Sequence, residues 1–283
     1  AGMHEVQVPT PGCRWYHAQT LPGLGRVGKV DGHMWDFRAP GRADAYLGGV
    51  DFQGKRVLEV GPASGFWTVE MCRRGASVLA LEIDAEHEWD VVPGMQPDDP
   101  DRAAGMEMVK AGWHLAVQQW RTVADIRAER PPTDRGRFDV LMLGAVLLHT
   151  RRPFDILERC AALTDETVVI VERHFPELGI EPVMRFAPST PADWGTWWDF
   201  SPAWFERVLP LLGFADVTVS YHEQTYTPWL LPMFTVVARR RAHESVTPIQ
   251  PPSQSIDVQG SVVGLGDGEG GGVGDGDGDG DGD

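Results

Sequence analysis

Residues 56–67 read RVLEVGPASGFW, and they join an apolar strand to a glycine-bearing turn and to the start of a helix. The segment Val57–Val60 is rich in the branched apolar side chains that are typical of a buried strand. Gly61 and Gly65 bracket the turn, and a helix is predicted over Phe66–Arg74. A strand, a glycine turn and a helix in this order can cradle a nucleotide at the carboxyl end of a sheet.

Strands and helices alternate along the chain on both sides of this stretch. Further strands are predicted at Val78–Glu82, Trp120–Asp125, Phe138–Leu143, Thr167–Glu172, Val217–Tyr221 and Phe234–Ala238, and helices at 102–118, Pro153–Leu163 and Pro202–Leu212, the last with Ser201 as N-cap. The alternation predicts an α/β fold, a Rossmann-like seven-stranded and mainly parallel sheet with helices on both faces. The last two strands have no helix between them, so an antiparallel last strand is expected. The intervening HEQTYTPWLLPM looks too long for a tight hairpin turn.

The composition predicts three parts. Residues 1–45 are rich in glycine, proline and aromatic residues, and we expect an irregular segment that covers the site. Residues 46–241 form the α/β domain, with an aromatic-rich insertion at 174–200. Residues 242–283 end in a Gly/Asp repeat that buries too little surface to order itself, so a disordered acidic tail is expected. The repeat lacks the glutamate and the flanking helices of a calcium-binding loop, so no metal site is predicted.

Charge and cysteine content narrow the function classes. The formal net charge is −16, and the chain stays acidic without its tail. This charge disfavours general binding of nucleic acid. The three cysteines are odd in number and form no C-x-x-C pair, as in a reduced, cytoplasmic chain. No apolar run reaches about 18 residues, so no membrane span is predicted.

The turn itself argues against two common nucleotide sites. Ala63 stands where the dinucleotide fingerprint G-x-G-x-x-G needs its second glycine, and no Gly-Lys-Ser/Thr follows as in a P-loop. The remaining pattern, an acid, a glycine and a second glycine after a strand, resembles motif I of S-adenosylmethionine-dependent methyltransferases. Glu82, at the end of the second strand, can accept hydrogen bonds from both ribose hydroxyls, and Asp84 is the alternative. Asp125 and Ile126, at the end of the third strand, are expected to contact the adenine of this cofactor.

A wider resemblance supports this cofactor. The passages GKRVLEVGPASGFWTVEMCRRGASVLALE and FDVLMLGAVLLHTRRPFDILERCAALT resemble a group of class I methyltransferases that includes the tRNA wobble-uridine carboxymethyltransferases and related small-molecule enzymes. The resemblance implies S-adenosylmethionine as cofactor. The implied cofactor-binding residues are Glu59, Gly61, Pro62, Ala63, Gly65, Phe66, Glu82, Asp125, Ile126 and Gly144.

The resemblance also implies an activity, the O- or N-methylation of a small molecule, with a role in secondary metabolism. The tRNA enzymes carry V-L-Y-H-R-R-S-P, and the corresponding residues 146–153 of this chain read V-L-L-H-T-R-R-P. The chain therefore departs from the tRNA enzymes at Leu148. With the acidic composition, that departure disfavours but does not exclude a tRNA partner. A tRNA-modifying enzyme and a non-catalytic cofactor-binding protein therefore remain alternatives.

Several side chains are candidates for the chemistry. Methyl transfer depends mainly on alignment, and a base is needed only where the acceptor loses a proton. His149 and His174 follow the fourth and fifth strands and are the candidate bases, although His149 can equally serve to shape its loop. The candidate substrate-binding residues are Trp35, Glu172, Arg185, Trp194, Trp197 and Trp198; the tryptophans of the insertion can also be a small core beneath a loop.

Overall fold

The computed structural model describes residues 10–28, 34–82, 100–120, 124–128, 137–189 and 195–241, and only the main chain of 100–106 and 124–128. The strands are β1 (Gln19–Leu21), β2 (Gly25–Val27), β3 (Trp35–Asp36), β4 (Arg56–Val60), β5 (Ser77–Glu82), β6 (Ala124–Ala128), β7 (Phe138–Gly144), β8 (Thr164–Arg173), β9 (Met184–Phe186), β10 (Trp198–Phe200), β11 (Asp216–Tyr226) and β12 (Trp229–Arg239). The helices are α1 (Arg42–Tyr46), α2 (Phe66–Arg73), α3 (Pro100–Trp120), α4 (Pro153–Ala162) and α5 (Pro202–Leu211), with 3-10 turns at Leu147–His149 and Pro176–Leu178. The predicted tail at 242–283 lies outside the described residues.

The main sheet has the strand order β3-β11-β12-β8-β7-β4-β5-β6. The pairs β5/β6, β4/β5, β4/β7 and β7/β8 are parallel. Strand β12 runs antiparallel to β8, and β11 runs antiparallel to β12. The predicted seven-stranded, mainly parallel, Rossmann-like sheet is confirmed, and the two-residue strand β3 extends its edge.

Alternate residues of the strands face two different cores. One core joins Val57, Val140 and Val169 to side chains of α1 and α2, including Tyr46 and Trp67. The other joins the neighbouring strand residues to α4 and α5; its members include Leu58, Leu141, Ile170, Leu157 and Phe205. Because successive side chains of a strand point to opposite faces, a sheet buried on both faces needs continuous apolar runs. The prediction of helices on both faces is confirmed.

The third strand lies further along the chain than predicted. Helix α3 continues to Trp120, and β6 begins only at Ala124. The Trp120 ring is held against α2, where the Arg73 guanidinium lies 4.3 Å from the ring centroid. Asp125 and Ile126 therefore pair with Leu79 and Ala80 instead of standing at the strand end. The strand predicted at Trp120–Asp125 exists, but its predicted start was wrong because Trp120 belongs to a helix–helix contact.

The connection between the last two strands is a tight hairpin, contrary to the prediction. Tyr226 pairs with Trp229, so only Thr227 and Pro228 form the turn. Polar side chains in this region make hydrogen bonds within the fold. The buried Gln224 side-chain amide donates to the Arg42 carbonyl at 3.0 Å. Contacts of this kind continue the strands through a stretch whose sequence looks like a loop.

The predicted N-cap Ser201 does precede α5, but its side chain does not cap the helix. Its hydroxyl donates to the Glu181 carbonyl at 2.7 Å and accepts from the Val183 N–H at 2.9 Å. The hydroxyl therefore ties the insertion to the start of the helix.

Candidate active site

The glycine turn lies at the edge of the sheet where the parallel strands end. The N–H of Gly61 donates to the Leu81 carbonyl at 2.8 Å, which joins the turn to β5. Gly61 has a φ of +70°, and a Cβ atom there would lie 2.7 Å from Cγ2 of Val146. The turn therefore needs glycine at its first position, both for its left-handed conformation and for the close approach of the loop after β7.

Glu82 reaches the same turn from the neighbouring strand. The main-chain N–H of Ala63 donates to Oε2 of Glu82 at 3.1 Å. The predicted pair, a glycine turn after β4 and an acid at the end of β5, is therefore brought together in space. Pro62 belongs to the same turn, where its carbonyl accepts from Gly65 N–H at 3.0 Å.

Glu59 lies beneath the turn in a buried hydrogen-bond chain. The Thr68 hydroxyl donates to Oε2 of Glu59 at 2.5 Å, and Nε1 of Trp113 donates to the Thr68 hydroxyl at 2.9 Å. Burial raises the pKa of Glu59 to about 8, and nearby Glu82 acts in the same direction. Glu59 is 3% exposed, so it supports the turn from within.

The N-terminal segment packs directly on the turn, and sequence reasoning missed the residues involved. The hydroxyl of Ser64 accepts from the Tyr16 N–H at 3.0 Å, and its carbonyl accepts from Nε2 of Gln19 at 3.1 Å. The His17 ring lies 5.8 Å from the ring of Phe66. Aromatic and polar residues interleaved in WYHAQT were the available signal for this contact.

His17 is an unusual buried histidine. It is 7% exposed, and its Nδ1 is buried without a hydrogen-bond partner. Burial lowers its pKa to about 3, so the imidazole is neutral at physiological pH. The Phe37 ring packs on it as well, at 5.7 Å between ring centroids.

Gly144, at the end of β7, gives room to a tyrosine. A Cβ atom at this position would lie 2.8 Å from the Tyr46 hydroxyl oxygen. Tyr46 in turn stacks on Trp67 with 3.9 Å between ring centroids. The need for glycine at 144 is therefore explained by packing within the chain, and its predicted contact with a cofactor stays a prediction.

The loop after β7 is fixed by the end of β8. The Ala145 N–H donates to the Val171 carbonyl at 2.8 Å, and Ala145 adopts a φ of +53°. Burial raises the pKa of Glu172 to about 8, and the nearby main-chain N–H groups of Leu147 and Leu148 act against the shift. Glu172 is 2% exposed.

His149 closes this loop against the insertion. Its Nδ1 makes a short hydrogen bond to the Gly195 carbonyl. A carbonyl can only accept, so Nδ1 carries the proton and Nε2 is left with the lone pair. The residue keeps exposure to solvent, yet desolvation by the surrounding protein lowers its pKa, and the hydrogen bond to Gly195 opposes that shift. A neutral imidazole with a fixed tautomer results.

His174 has different surroundings. The centroid of its ring lies 4.8 Å from that of Tyr221 and 6.4 Å from that of Phe234. Its main-chain N–H donates to the Pro232 carbonyl at 2.9 Å. These contacts involve the antiparallel end of the sheet. His174 therefore lies among aromatic side chains of β11 and β12, and its role as a base stays a prediction.

The insertion contains two short antiparallel strands, with Trp198 in the second strand and Trp197 directly before it. β9 and β10 pair antiparallel, with Trp198 opposite Phe186. Trp197 is 7% exposed, and its main-chain N–H donates to the Leu148 carbonyl at 2.7 Å, which ties these strands to the loop after β7. Its ring lies 6.2 Å from the Phe186 ring, and Trp198 packs against the core that includes α4 and α5. Both rings thus have structural contacts, while Trp194 lies outside the described residues.

The remaining candidates are accounted for as follows. Arg185 donates to Oδ2 of Asp199 at 2.8 Å and to Oε1 of Glu177 at 3.1 Å, so ion pairs within the insertion hold its charge. Trp35 lies in edge strand β3 and stacks on Phe37 at 5.6 Å. Their substrate contacts stay predictions.

Asp125 is the second residue of β6 and Ile126 the third, so neither lies at the carboxyl end of the strand, and both side chains are outside the described residues. This position removes the premise on which the adenine contact was predicted.

The described residues contain no group of three or more His, Cys, Asp or Glu side chains that could hold a metal ion. Within the same ranges, no helix is both long and apolar enough to cross a membrane.

Comparison with known proteins gives partial matches. No family model matches the chain. The chain is 27% identical over 110 residues to the ubiquinone biosynthesis O-methyltransferase of Haemophilus ducreyi, with 39% of this chain and 41% of that protein covered. It is 33% identical over 110 residues to the protein of the same name from Sodalis glossinidius, with 39% and 37% covered. The chain thus spans about two fifths of the length of the curated relatives it matches.

Two solved structures are similar to the chain at low identity. The N-terminal domain of EvdMO1 with SAH bound has a TM-score of 0.49 and 21% identity, covering 80% of this chain and 92% of that one. The 1,6-didemethyltoxoflavin-N1-methyltransferase of Burkholderia thailandensis has a TM-score of 0.48 and 16% identity, covering 70% and 76%.

Proposed function

We propose that this chain is an S-adenosylmethionine-dependent methyltransferase that methylates an oxygen or nitrogen atom of a small molecule. The observation that carries the proposal is the contact of Glu82 with the glycine turn, through the Ala63 N–H at 3.1 Å. It puts a carboxylate beside a turn that lacks a phosphate-binding pattern. The turn lies at the carboxyl ends of adjacent strands, where ligands of open α/β sheets bind. Ubiquinone biosynthesis O-methyltransferases match over 110 residues, which supports the same chemistry.

The residues present fit this cofactor. Glu82 is partly exposed, and a carboxylate there suits the two hydroxyls of a ribose. Gly61, Ala63 and Gly65 adopt positive φ values, and Gly61 and Ala63 are partly exposed. Ala63 disfavours the close approach of a pyrophosphate, which S-adenosylmethionine does not contain. Phe66 follows the turn and adds an aromatic surface.

When bound, S-adenosylmethionine supplies a methyl group that is already activated by its sulfonium. The chain then has to align the acceptor and, for a hydroxyl, take up its proton. His149 is suited to that second task, because Gly195 fixes its tautomer and leaves Nε2 as the proton acceptor. Trp197, whose main-chain N–H is bonded to the same loop, is the proposed aromatic wall for the acceptor.

Cofactor binding is tested first, by titrating the full chain with S-adenosylhomocysteine in a calorimeter. We expect binding by the wild type, and at least about tenfold weaker binding by Glu82→Ala, since about 1.4 kcal/mol corresponds to a tenfold change. Glu166→Gln is the matched control, because this acid pairs with Lys55 and is partly exposed. No binding by the wild type would refute the proposal.

Activity is tested with labelled S-adenosylmethionine and a panel of phenols, other hydroxyl compounds and amines. His149→Ala is expected to lower kcat for a hydroxyl acceptor by about 10²-fold while leaving cofactor binding intact. If the variant keeps full activity across the panel, His149 serves only to shape its loop.

The two alternative functions, tRNA modification and cofactor binding without catalysis, are distinguished with the same purified protein. Relationship to the tRNA wobble-uridine enzymes predicts tRNA binding that weakens steeply with salt. A non-catalytic cofactor-binding protein would bind S-adenosylhomocysteine and transfer no methyl group. A cytoplasmic location and a role in secondary metabolism remain part of the proposal.

A further inference from the structure

Part of the N-terminal segment passes over the glycine turn as a strap, residues 14–19, which is bonded to three parts of the fold. At one end, the Arg14 N–H donates to the Met108 carbonyl of α3 at 2.9 Å. Near the other end, the Ala18 N–H donates to the Trp35 carbonyl of β3 at 2.8 Å. The third contact is with the turn itself, so the strap is fixed on both sides of the residues that touch the turn.

Two hydrogen bonds join the strap to Ser64 of the turn. The Tyr16 N–H donates to the Ser64 hydroxyl at 3.0 Å, and Nε2 of Gln19 donates to the Ser64 carbonyl at 3.1 Å. Ser64 is fully buried and Gln19 is 3% exposed, so water is a poor substitute for these partners. Ser64 is therefore held through its side chain and through its main chain.

The residue before Ser64 has a backbone conformation that alanine seldom adopts. Ala63 has a φ of +48°, in the left-handed region, where the Cβ atom of a non-glycine residue crowds the main chain. Residues with such strain persist where the surrounding structure fixes them, and they occur often at ligand sites. The two bonds to Ser64 hold the next residue along the chain and so oppose relaxation of Ala63.

The conformation of Ala63 matters because its N–H meets Glu82. This N–H donates to Oε2 of Glu82 at 3.1 Å, the contact that carries the proposed cofactor site. A change of φ at Ala63 would reorient the N–H relative to the rest of the turn and weaken this bond. The orientation of the Glu82 carboxylate thus depends on the turn, and the turn depends on the strap.

We propose that Gln19 and Ser64 are positioning residues, which hold the strained turn, and through it Glu82, in the geometry that binds the cofactor. This inference rests on the proposed function and gives the N-terminal strap a part in cofactor binding. Neither residue has to contact the cofactor in this role. Gln19 lies 45 residues before Ser64, so the turn depends on a distant part of the chain for its conformation.

The test removes the Gln19 bond and measures S-adenosylhomocysteine affinity by calorimetry, well below the unfolding temperature of each variant. Gln19→Met keeps a long unbranched side chain and removes the amide that donates to Ser64. We expect about five- to tenfold weaker binding, from the loss of one buried hydrogen bond that holds the site. Hydrogen exchange gives an independent readout, because the Ala63 amide should exchange faster in this variant.

Ala63→Gly tests whether the strap acts through the strained residue. Glycine adopts a positive φ without a steric penalty, so the turn would need less support from the strap. In the Ala63→Gly background, Gln19→Met is therefore expected to weaken binding by less than about twofold. A merely structural role of Gln19 would give the same loss in both backgrounds.

Gln224→Met is the matched control, since it removes the same chemical group elsewhere in the fold. Gln224 is fully buried in β11, and its side-chain amide also donates to a main-chain carbonyl, that of Arg42, at 3.0 Å. This variant should lower stability and leave S-adenosylhomocysteine affinity and exchange of the Ala63 amide unchanged.

Ser64→Ala is a second test variant, which keeps the inference falsifiable if Gln19→Met does not fold. It removes only the hydroxyl that accepts from Tyr16, and about threefold weaker binding is expected.

The outcomes separate this inference from the proposed function. A wild-type chain that does not bind S-adenosylhomocysteine overturns both together. Wild-type binding with unchanged affinity and exchange in Gln19→Met and Ser64→Ala overturns only the inference. The inference also fails if Gln224→Met weakens binding as much as Gln19→Met does, or if Ala63→Gly leaves the effect of Gln19→Met undiminished.

Discussion

Thr68→Val tests whether the buried chain beneath the glycine turn stabilises the fold. Thr68 is fully buried, and its hydroxyl both donates to Glu59 and accepts from Nε1 of Trp113. Valine has nearly the same shape, so the substitution leaves no large cavity. It removes one hydroxyl and leaves a buried donor and a buried acceptor without partners.

The magnitude follows from those two orphaned groups. Each buried polar group that loses its partner costs about 1–3 kcal/mol, so the variant should lose about 3 kcal/mol of unfolding free energy. The loss should also depend on pH. Glu59 has a raised pKa of about 8, so its stabilising contribution is present below its usual 4.5 and is lost as the pH rises through 8. The Thr68 hydroxyl favours the ionised form, so Thr68→Val should cost more at pH 9 than at pH 6.

Urea denaturation at pH 6 and pH 9 measures both effects, provided that the m-value is unchanged. In a double-mutant cycle, Trp113→Phe removes the orphaned donor, so the combined variant should be less than additive by about 1 kcal/mol. A loss of unfolding free energy below about 0.5 kcal/mol at both pH values, or strict additivity, would refute the reasoning. Removing a buried hydroxyl with two hydrogen-bond partners is expected to cost more than this.

Three further changes follow from other contacts. Gly61→Ala should weaken S-adenosylhomocysteine binding about tenfold, because the new Cβ would meet Val146 at 2.7 Å, and adding Val146→Ala should restore part of the affinity in the same calorimetric titration. Arg240→Met should lower the urea-derived unfolding free energy by about 2 kcal/mol, since this guanidinium donates to three main-chain carbonyls near the ends of α4 and α5; Arg240→Lys should recover only a fraction. His17→Gln should reduce the loss of stability on acidification: the folded pKa of about 3 lies below the usual 6.5, so the contribution of His17 is present above pH 6.5 and lost as the pH falls. Relative to the variant, wild type should lose about 2 kcal/mol between pH 7 and pH 5. Parallel curves for the two proteins would contradict the buried, neutral assignment of His17.

The sequence predicted the glycine turn and its acid because both signals are local. The apolar run of β4 fixes the strand, the glycines fix the turn, and the spacing to Glu82 follows from one helix and one strand. Parallel pairing then brings Val60 beside Leu81, one residue before Glu82. Nothing beyond neighbouring elements is needed for that part of the site, so a pattern in one stretch of chain is sufficient.

Elements whose identity depends on distant partners were predicted less well. Trp120 looks like a strand residue, but in the fold it completes the contact of α3 with α2, beneath Arg73. Residues 222–225 look like a loop, but His222 reaches the buried Thr235 hydroxyl across the hairpin at 2.9 Å. In both cases a tertiary contact overrides a local preference, as β-propensity in particular allows.

The same distinction applies within the site. His149 was a candidate by its place after a strand, but the feature that makes it a credible base is the Gly195 carbonyl, 46 residues further along the chain. Glu172 was a candidate for the same positional reason, yet it is 2% exposed and its Oε1 is buried without a hydrogen-bond partner. Position at a strand end thus identifies which residues can reach a site. Whether such a residue meets a ligand or holds another part of the protein depends on the hydrogen bonds it finds there, and only the folded arrangement supplies them.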